Sequence, residues 1–416
     1  MIHNRSPVNQ SPAQNAVRVF SRCMLKTLWN WASRNIQTIY CIDMNIKYCG
    51  PALDYSGYGE ANRHDIAALA SADIGVQVEL TKHCLEISEF GSLGQMVRDL
   101  ATHKLDYSIK ILHTTPNIYN QFIEPGKYHI GRVFWETDKL PPDFVAGIQL
   151  VDEIWTGSKA NADAIRNSGI DKPIYIIPEA VDINIGDVQP YKIPMMTGEQ
   201  YRFYSVFEWT ERKNPLALLE AYWREFEHTD GVALVIKTYV DNFMKDKRRV
   251  IDEQIAQLKR RVKLEKYAPM YLFRNLIGRN QIYSFHKTFD CFVSTHRGEG
   301  WGIPQMEAML TGNPIISTGW GGIHEYVTDQ ESAYLLPYEM VKLESNSRNQ
   351  QWYRDDQNWC DVKVDDIRKV MRHVFDHRGE AKKVGFAGQT VVTGEFAVPI
   401  VGQLMKERIN AIKVTT

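Results

Sequence analysis

The stretch HRGEGWGIPQMEAMLTGNP, residues 296–314, decides how the rest of the chain is read. It holds four glycines, two prolines and two glutamates in nineteen positions, and Glu299 and Glu307 stand eight apart. The residues before it, DCFVST (290–295), have the apolar, β-branched character of a core strand. Pro304 stands where a helix would begin and Gly312 where it would end, the usual asymmetry of helix termini. RGEGWG (297–302) is therefore predicted to be a strand-to-helix loop at the carboxyl edge of a sheet. Gly298, Gly300 and Gly302 allow close backbone approach to a ligand, and the helix N-terminus behind them favours phosphate. A lone glutamate here would only offset the helix dipole. Two glutamates around such a loop add acceptors for hydroxyls, each charge-assisted bond worth roughly 1.5–3 kcal/mol when desolvated. A ligand carrying both a phosphate and several hydroxyls suits the constellation, and a nucleotide sugar is one.

Outward from this loop, strand and helix patterns alternate from residue 45 onward, as in α/β domains with parallel sheets. NIKYCG (45–50), VQVEL (76–80), LDYSIKILH (105–113), YHIGRVFWE (128–136), VDEIWTGS (151–158) and PIYIIPEAVD (173–182) read as strands of a first half. The glycine turn DYSGYGEAN precedes a helix through RHDIAALASA, and Ser158 caps a helix that stops near Gly169. INIGDVQPYKIPMMTGEQ (183–200), with its prolines and glycines, reads as a linker. A second alternating series follows: RFYSVFEW (202–209), a helix over 214–226, VALVIKTY (232–239), a charged helix over 246–266, MYLFRN (270–275), FDCFVST (289–295) and NPIISTG (313–319). The expected fold class is α/β, with two Rossmann-like domains facing each other across a cleft. The expected divisions are a basic extension over 1–43, a first domain over 44–190, a second over 191–385, and helices over 386–416 that cross back to the first. In such sheets ligands bind outside the carboxyl ends of strands.

Composition excludes several function classes. The chain has 416 residues, 44% hydrophobic and 24% charged, with a formal net charge of -1. No global field draws it to nucleic acid or membrane. Six cysteines form no CxxC pair, which argues against a zinc site or a disulfide framework and fits a reducing cytosol. No run of 18 apolar residues occurs, so no transmembrane helix is expected, and no signal peptide is expected either. Met1 to Ile42 contains no acidic residue, and Arg18, Arg22 and Lys26 fall opposite a stripe of Val17, Phe20, Met24, Leu28 and Trp31. Three readings are open there: a basic amphipathic helix for a membrane surface, a transit peptide, or an inert extension preceding a true start at Met44.

EGWGIPQME followed by AMLTGNPIISTGWGGIHE resembles the signature of glycosyltransferase family 4, retaining and metal-independent enzymes of the GT-B fold. Glu299, Glu307, Ala308-Met309, Gly312-Asn313-Pro314, Gly321-Gly322 and Glu325 match its parts in order. The resemblance implies that Glu299 holds donor-sugar hydroxyls and Glu307 the ribose. Gly300, Trp301 and Gly302 would contact sugar and phosphate through the backbone, and Gly321, Gly322 and Glu325 would complete the donor site. FEWTERKNP (207–215) resembles the segment that clamps the diphosphate, with Lys213 at the lysine position. Where the usual pattern has an arginine this chain has Glu208, and Arg212 is the substitute the resemblance suggests. Such a cation pair stabilises the leaving diphosphate as an oxyanion hole would. DYSGYGEANR (54–63) resembles the glycine loop of the first domain, which gives Gly57 and Gly59 a donor-binding role. ILHTTPN (111–117) places His113 where the family often has a histidine beside the donor sugar. Glu136 and Asp138 are open between acceptor contact and turn roles.

The expected activity is transfer of a hexosyl or pentosyl group from a nucleotide-diphosphate sugar, with no cofactor and no metal. A glycan acceptor, lipid-linked or part of a surface polysaccharide, suits the family, and so does a cytoplasmic place with peripheral membrane contact. Residues 237–266 carry ten Lys/Arg against five acidic residues, a stretch that could serve anionic lipid, a polyanionic glycan or DNA. Transfer to hydroxymethylated DNA bases is therefore an alternative. A sugar-nucleotide epimerase, a phosphorylase and a non-catalytic nucleotide-sugar sensor are others that share the fold.

Overall fold

The structure is a computed structural model that describes residues 45–81, 90–183, 185, 188–191, 200–239, 248–344 and 352–413. The basic amphipathic reading of residues 1–43 lies outside them, as does much of the expected linker. From Met44 onward the chain forms one compact unit.

Its first part runs β1 (Asn45–Gly50), α1 (Gly57–Ser71), β2 (Gly75–Leu80), α2 (Gly91–Thr102), β3 (Ile109–Leu112), β4 (Tyr128–Arg132), α3 (Pro142–Ile148), β5 (Glu153–Thr156), α4 (Lys159–Asn167) and β6 (Ile174–Ile176). The strands pair in parallel in the order β2-β1-β3-β4-β5-β6. The second part runs β7 (Tyr201–Glu208), α5 (Pro215–Glu225), β8 (Val232–Tyr239), α6 (Arg248–Val262), β9 (Met270–Phe273), α7 (Arg279–Thr288), β10 (Cys291–Ser294), α8 (Ile303–Leu310), β11 (Ile315–Thr318) and β12 (Tyr334–Leu336). Its sheet is also parallel, in the order β12-β11-β10-β7-β8-β9. These are the two common doubly wound orders. Each reverses once: between β1 and β3 in the first sheet, and between β7 and β10 in the second.

Helices cover both faces of each sheet, so the strands are apolar on both sides. In the second sheet Phe203, Leu234, Ile236 and Val293 pack under α5 and α6, while Tyr204, Val235 and Phe292 face the side of α7 and α8. The chain continues with an antiparallel hairpin, β13 (Glu339–Lys342) and β14 (Asn358–Asp361). It ends in α9 (Val364–Asp376), α10 (Arg378–Glu395) and α11 (Val398–Asn410).

Two sequence expectations shift. The helix expected from Arg63 begins six residues earlier, at Gly57, because Ser56 caps it by accepting from the Gly59 N–H at 3.4 Å. Gly57 and Gly59 thus sit in a first helical turn, not in a free loop. The boundary expected between 385 and 386 falls inside α10, which is continuous to Glu395. The break comes at Phe396–Ala397, where Val181 N–H donates to Phe396 O at 2.8 Å and Val398 N–H donates to Val181 O at 3.2 Å. Beyond it, α11 lies on α1 so closely that a Cβ on Gly402 would stand 2.1 Å from Ala68 O.

Candidate functional site

The two switch points supply the candidate residues. After β1 come Gly57 and Gly59, after β3 His113, after β7 Arg212 and Lys213, and after β10 Glu299. Residues far apart in sequence therefore meet at the carboxyl edges of both sheets, as the doubly wound topology requires.

Glu299 is buried, and both of its oxygens meet cations. Arg212 Nη1 lies 3.1 Å from Oε2, and Lys213 Nζ contacts Oε1. The same Arg212 Nη1 donates to Gly298 O at 2.7 Å, and Arg297 N–H donates to Arg212 O at 2.6 Å. Burial alone would raise the Glu299 carboxyl, but Lys213 and then Arg212 pull it down to about 2. Lys213 is itself pushed down, because burial outweighs the attraction of Glu299. The pair the sequence assigned to the diphosphate is thus held beside the glutamate assigned to the sugar. Glu208, at the end of β7, is raised by burial, which disfavours its charged form in this cation-bearing corner.

Glu307 sits in α8, also buried. Arg279, the first residue of α7, pairs with its Oε1, and His286 Nε2 lies 3.4 Å from Oε2. Tyr204 OH and His286 Nδ1 are 2.8 Å apart, and Asn313 Nδ2 donates to Tyr204 OH and to His286 O. Asn313 of the Gly-Asn-Pro turn therefore helps to fix the histidine behind the glutamate. Burial raises the Glu307 carboxyl, Arg279 overcomes that, and the net direction is down.

Each glutamate is joined through an arginine to an acid of the first sheet. Arg279 Nε lies 2.8 Å from Glu60 Oε1 in α1, and Arg212 Nη2 lies 3.7 Å from Glu136 Oε1 after β4. Two Glu–Arg–Glu bridges, Glu60–Arg279–Glu307 and Glu136–Arg212–Glu299, span the cleft. Glu60 also meets Arg63 and His64 Nε2, the latter at 3.0 Å. Arg279 and Glu60 were missed in the sequence. A signal existed: an arginine at a helix N-terminus opposes the dipole and so calls for an acidic partner.

The glycines answer to protein contacts as well as to any ligand. A Cβ on Gly298 would meet Glu136 O at 1.9 Å, and one on Gly322 would meet Gly300 O at 2.2 Å. Gly302 and Gly321 hold φ of +99° and +94°, conformations that favour glycine. Nothing lies within 4 Å of a Cβ on Gly57, which leaves space at the head of α1. Trp301 is a core side chain, packed at a tilt against Tyr326 and Phe396 with Nε1 on Met306 Sδ. Only its backbone is available to a ligand. Glu325 does not stand free: its Oε1 accepts from Lys159 N–H at 2.6 Å and caps α4 from across the cleft. Asp138 is spent on a link to β14, its carboxylate taking Asn358 N–H at 2.6 Å and Asn358 Nδ2 at 2.7 Å. Beside it Trp352 and Tyr353 pack at a tilt against Phe144 and Trp135, so the β13–β14 hairpin straps the two parts together.

His113 is fully buried, with Nδ1 2.5 Å from Tyr48 OH and 3.4 Å from Asp65 Oδ2. The described part of the basic stretch 237–266 spends several cations internally. Lys237 is buried in β8, Lys259 lies over Trp223 and Tyr267, Arg261 pairs with Glu220, and Arg249 with Glu253. Among the described residues no helix is long and apolar enough to cross a membrane.

Residues 198–345 match the family model described as Glycosyl transferases group 1. A stretch of 90 residues, 21% of this chain, is 36% identical to the lipopolysaccharide core biosynthesis mannosyltransferase LpsB of Rhizobium meliloti (strain 1021). The match spans only 25% of that protein's length. HepE of Anabaena, solved in complex with UDP and glucose, superposes with a TM-score of 0.62 at 14% identity, over 89% of this chain and 100% of that one. Sucrose-phosphate synthase from Thermosynechococcus elongatus superposes with a TM-score of 0.62 at 12% identity, over 88% and 98% of the two chains. At such identities the likeness is one of fold: two parallel-sheet Rossmann-like domains in the GT-B arrangement.

Proposed function

We propose, for a chain whose residues 198–345 match the glycosyl transferases group 1 model, that it moves a sugar from a nucleotide-diphosphate sugar to a hydroxyl of a glycan acceptor. The observation that carries this reading is Glu299 paired with both Arg212 and Lys213 at the switch point of the second sheet. In this reading the two cations serve the leaving diphosphate and the carboxylate serves the sugar hydroxyls. A lipid-linked or surface-polysaccharide acceptor is the class favoured by the lipopolysaccharide role named for the partial relative.

The transfer we propose is a front-face substitution with retention and without a resident metal. The bond from the anomeric carbon to the diphosphate breaks, and the acceptor oxygen bonds to that carbon on the same face. The acceptor proton passes to a phosphate oxygen of the leaving group. Arg212 and Lys213 stabilise the charge developing on the diphosphate. Glu299 orients the sugar, and Glu307 holds the ribose. The bridges through Arg212 and Arg279 bring the two halves together around a water-poor cleft.

A thermal-shift screen of nucleotide sugars identifies the donor, since the one that binds the folded state raises the melting temperature by mass action. With that donor, Lys213→Ala is expected to lower the transfer rate roughly a hundred- to a thousand-fold. Glu307→Ala should weaken nucleotide binding by calorimetry, and Glu299→Ala should chiefly cost turnover. Unchanged binding and rate in all three variants would remove the assignment.

A further inference from the structure

We propose that Asp65 is a positioning residue: with Tyr48 it fixes His113 in the Nδ1–H tautomer and leaves Nε2 bare, as a hydrogen-bond acceptor for a hydroxyl of the donor sugar. The functional meaning of that acceptor rests on reading the cleft as a nucleotide-sugar site; the tautomer does not.

The tautomer follows from counting protons. Tyr48 OH lies 3.0 Å from Asp65 Oδ2 and 2.5 Å from His113 Nδ1, and a phenol has one proton to give. Asp65 also receives Arg132, with Nε 2.9 Å from Oδ2 and Nη2 3.2 Å from Oδ1. Burial would raise the Asp65 carboxyl, but the Arg132 guanidinium overcomes it and holds the group below its usual range. Asp65 is therefore an anion and an acceptor only. If Tyr48 gave its proton to His113, the phenol oxygen would face the carboxylate at 3.0 Å with no hydrogen between them. Tyr48 therefore donates to Asp65. His113 Nδ1 carries the ring proton and donates to the Tyr48 oxygen, with Asp65 Oδ2 3.4 Å away. Burial also lowers the His113 pKa, so the ring is neutral and Nε2 has no proton.

Nε2 is buried and has no hydrogen-bond partner. A bare acceptor is the less costly of the two ways to leave a ring nitrogen unpaired. The ring packs on Tyr58 and Phe134, both with centroids at 5.8 Å. Phe134 in turn abuts the candidate loop, where a Cβ on Gly300 would stand 3.0 Å from Phe134 Cβ. Phe134 thus touches both the imidazole and the sugar-holding segment. Arg132 also ties the array to the chain leaving the first sheet, since Nη2 donates to Pro178 O at 3.0 Å and Nη1 donates to Ile177 O. Asp65 and Arg132 are almost wholly buried, so the array cannot reorient without moving the backbone.

The test is nitrogen NMR of the full chain labelled with 15N in histidine, with His113 assigned by its loss in His113→Gln. At neutral pH the expected spectrum has a protonated Nδ1 and a bare, pyridine-like Nε2. A protonated Nε2, alone or in an imidazolium, overturns the proposal. Asp65→Asn is expected to move the proton wholly or partly to Nε2 and to lower kcat more than it changes KM. A folded Asp65→Asn with the wild-type ring spectrum overturns the role of Asp65. Should that variant fail to fold, Tyr48→Phe keeps the Asp65–Arg132 pair and removes the relay. It is then expected to mix the tautomers, and an unchanged spectrum again overturns the proposal. A chain that shows the tautomer but transfers no sugar would sink the activity and leave this assignment standing.

Discussion

Replacing Arg279 by leucine is expected to cost about 3–5 kcal/mol of folding stability. Its guanidinium bridges Glu60 and Glu307, whose side chains are 5% and 3% exposed. At an effective dielectric constant of about 20, each contact is worth roughly 4 kcal/mol, so two would sum to about twice that. The sum overstates the loss for two reasons. Glu60 keeps Arg63 and His64, and Glu307 keeps His286. A stranded carboxylate also takes up a proton before paying the full cost of a buried charge. The measured penalty for stranding a buried charge is therefore the better guide. With a urea m-value of about 3 kcal/mol/M, the unfolding midpoint should fall by roughly 1–1.7 M at pH 7. Glu60→Gln added to Arg279→Leu should recover part of that fall, because one stranded charge is gone. Lower pH should narrow the gap to wild type, since a stranded carboxylate has a raised folded pKa and its penalty fades as the pH drops through it. A shift below about 0.3 M, or a double variant weaker than the single by the full effect of Glu60→Gln, would refute the bridge as a structural link.

Acid should destabilise the wild type in two overlapping windows. His296 is buried, chiefly by which its pKa falls from the ordinary 6.5 to about 3, so the unfolded chain binds the extra proton and stability declines as pH drops below 6.5. Glu299 is pulled from 4.5 to about 2, so its contribution is present above 4.5 and is lost as pH falls through the folded value. Urea titrations from pH 7 to 3 should show both, and His296→Asn should flatten the upper window while leaving the lower one; a variant with the wild-type slope would contradict this. Gly402→Val should lower stability by about 1–3 kcal/mol through overpacking against α1, where Ala68 O stands 2.1 Å from a Cβ at that position. A melting temperature equal to wild type would show that α11 does not hold the first domain so tightly.

The sequence by itself determined the alternation of strands and helices, and hence two parallel sheets. It also determined the strand-to-helix corner at 297–302, because periodicity, glycine and proline act locally. The glycine-rich corner drew attention to Glu299 and Glu307, and the family resemblance, not spacing alone, added Lys213 and offered Arg212 where Glu208 departs from the pattern. Only the tertiary structure decided that Arg212 and Lys213 lie on Glu299, since residues 86 and 87 positions apart meet by strand order, not by period. It alone turned Glu325 to capping α4 and Trp301 into the core, and it alone brought Arg279 between Glu60 and Glu307. The physical reason is common to all of these. A buried charge takes whatever opposite charge the packing brings within reach, and the packing of two sheets across a cleft is not written in any local stretch of chain.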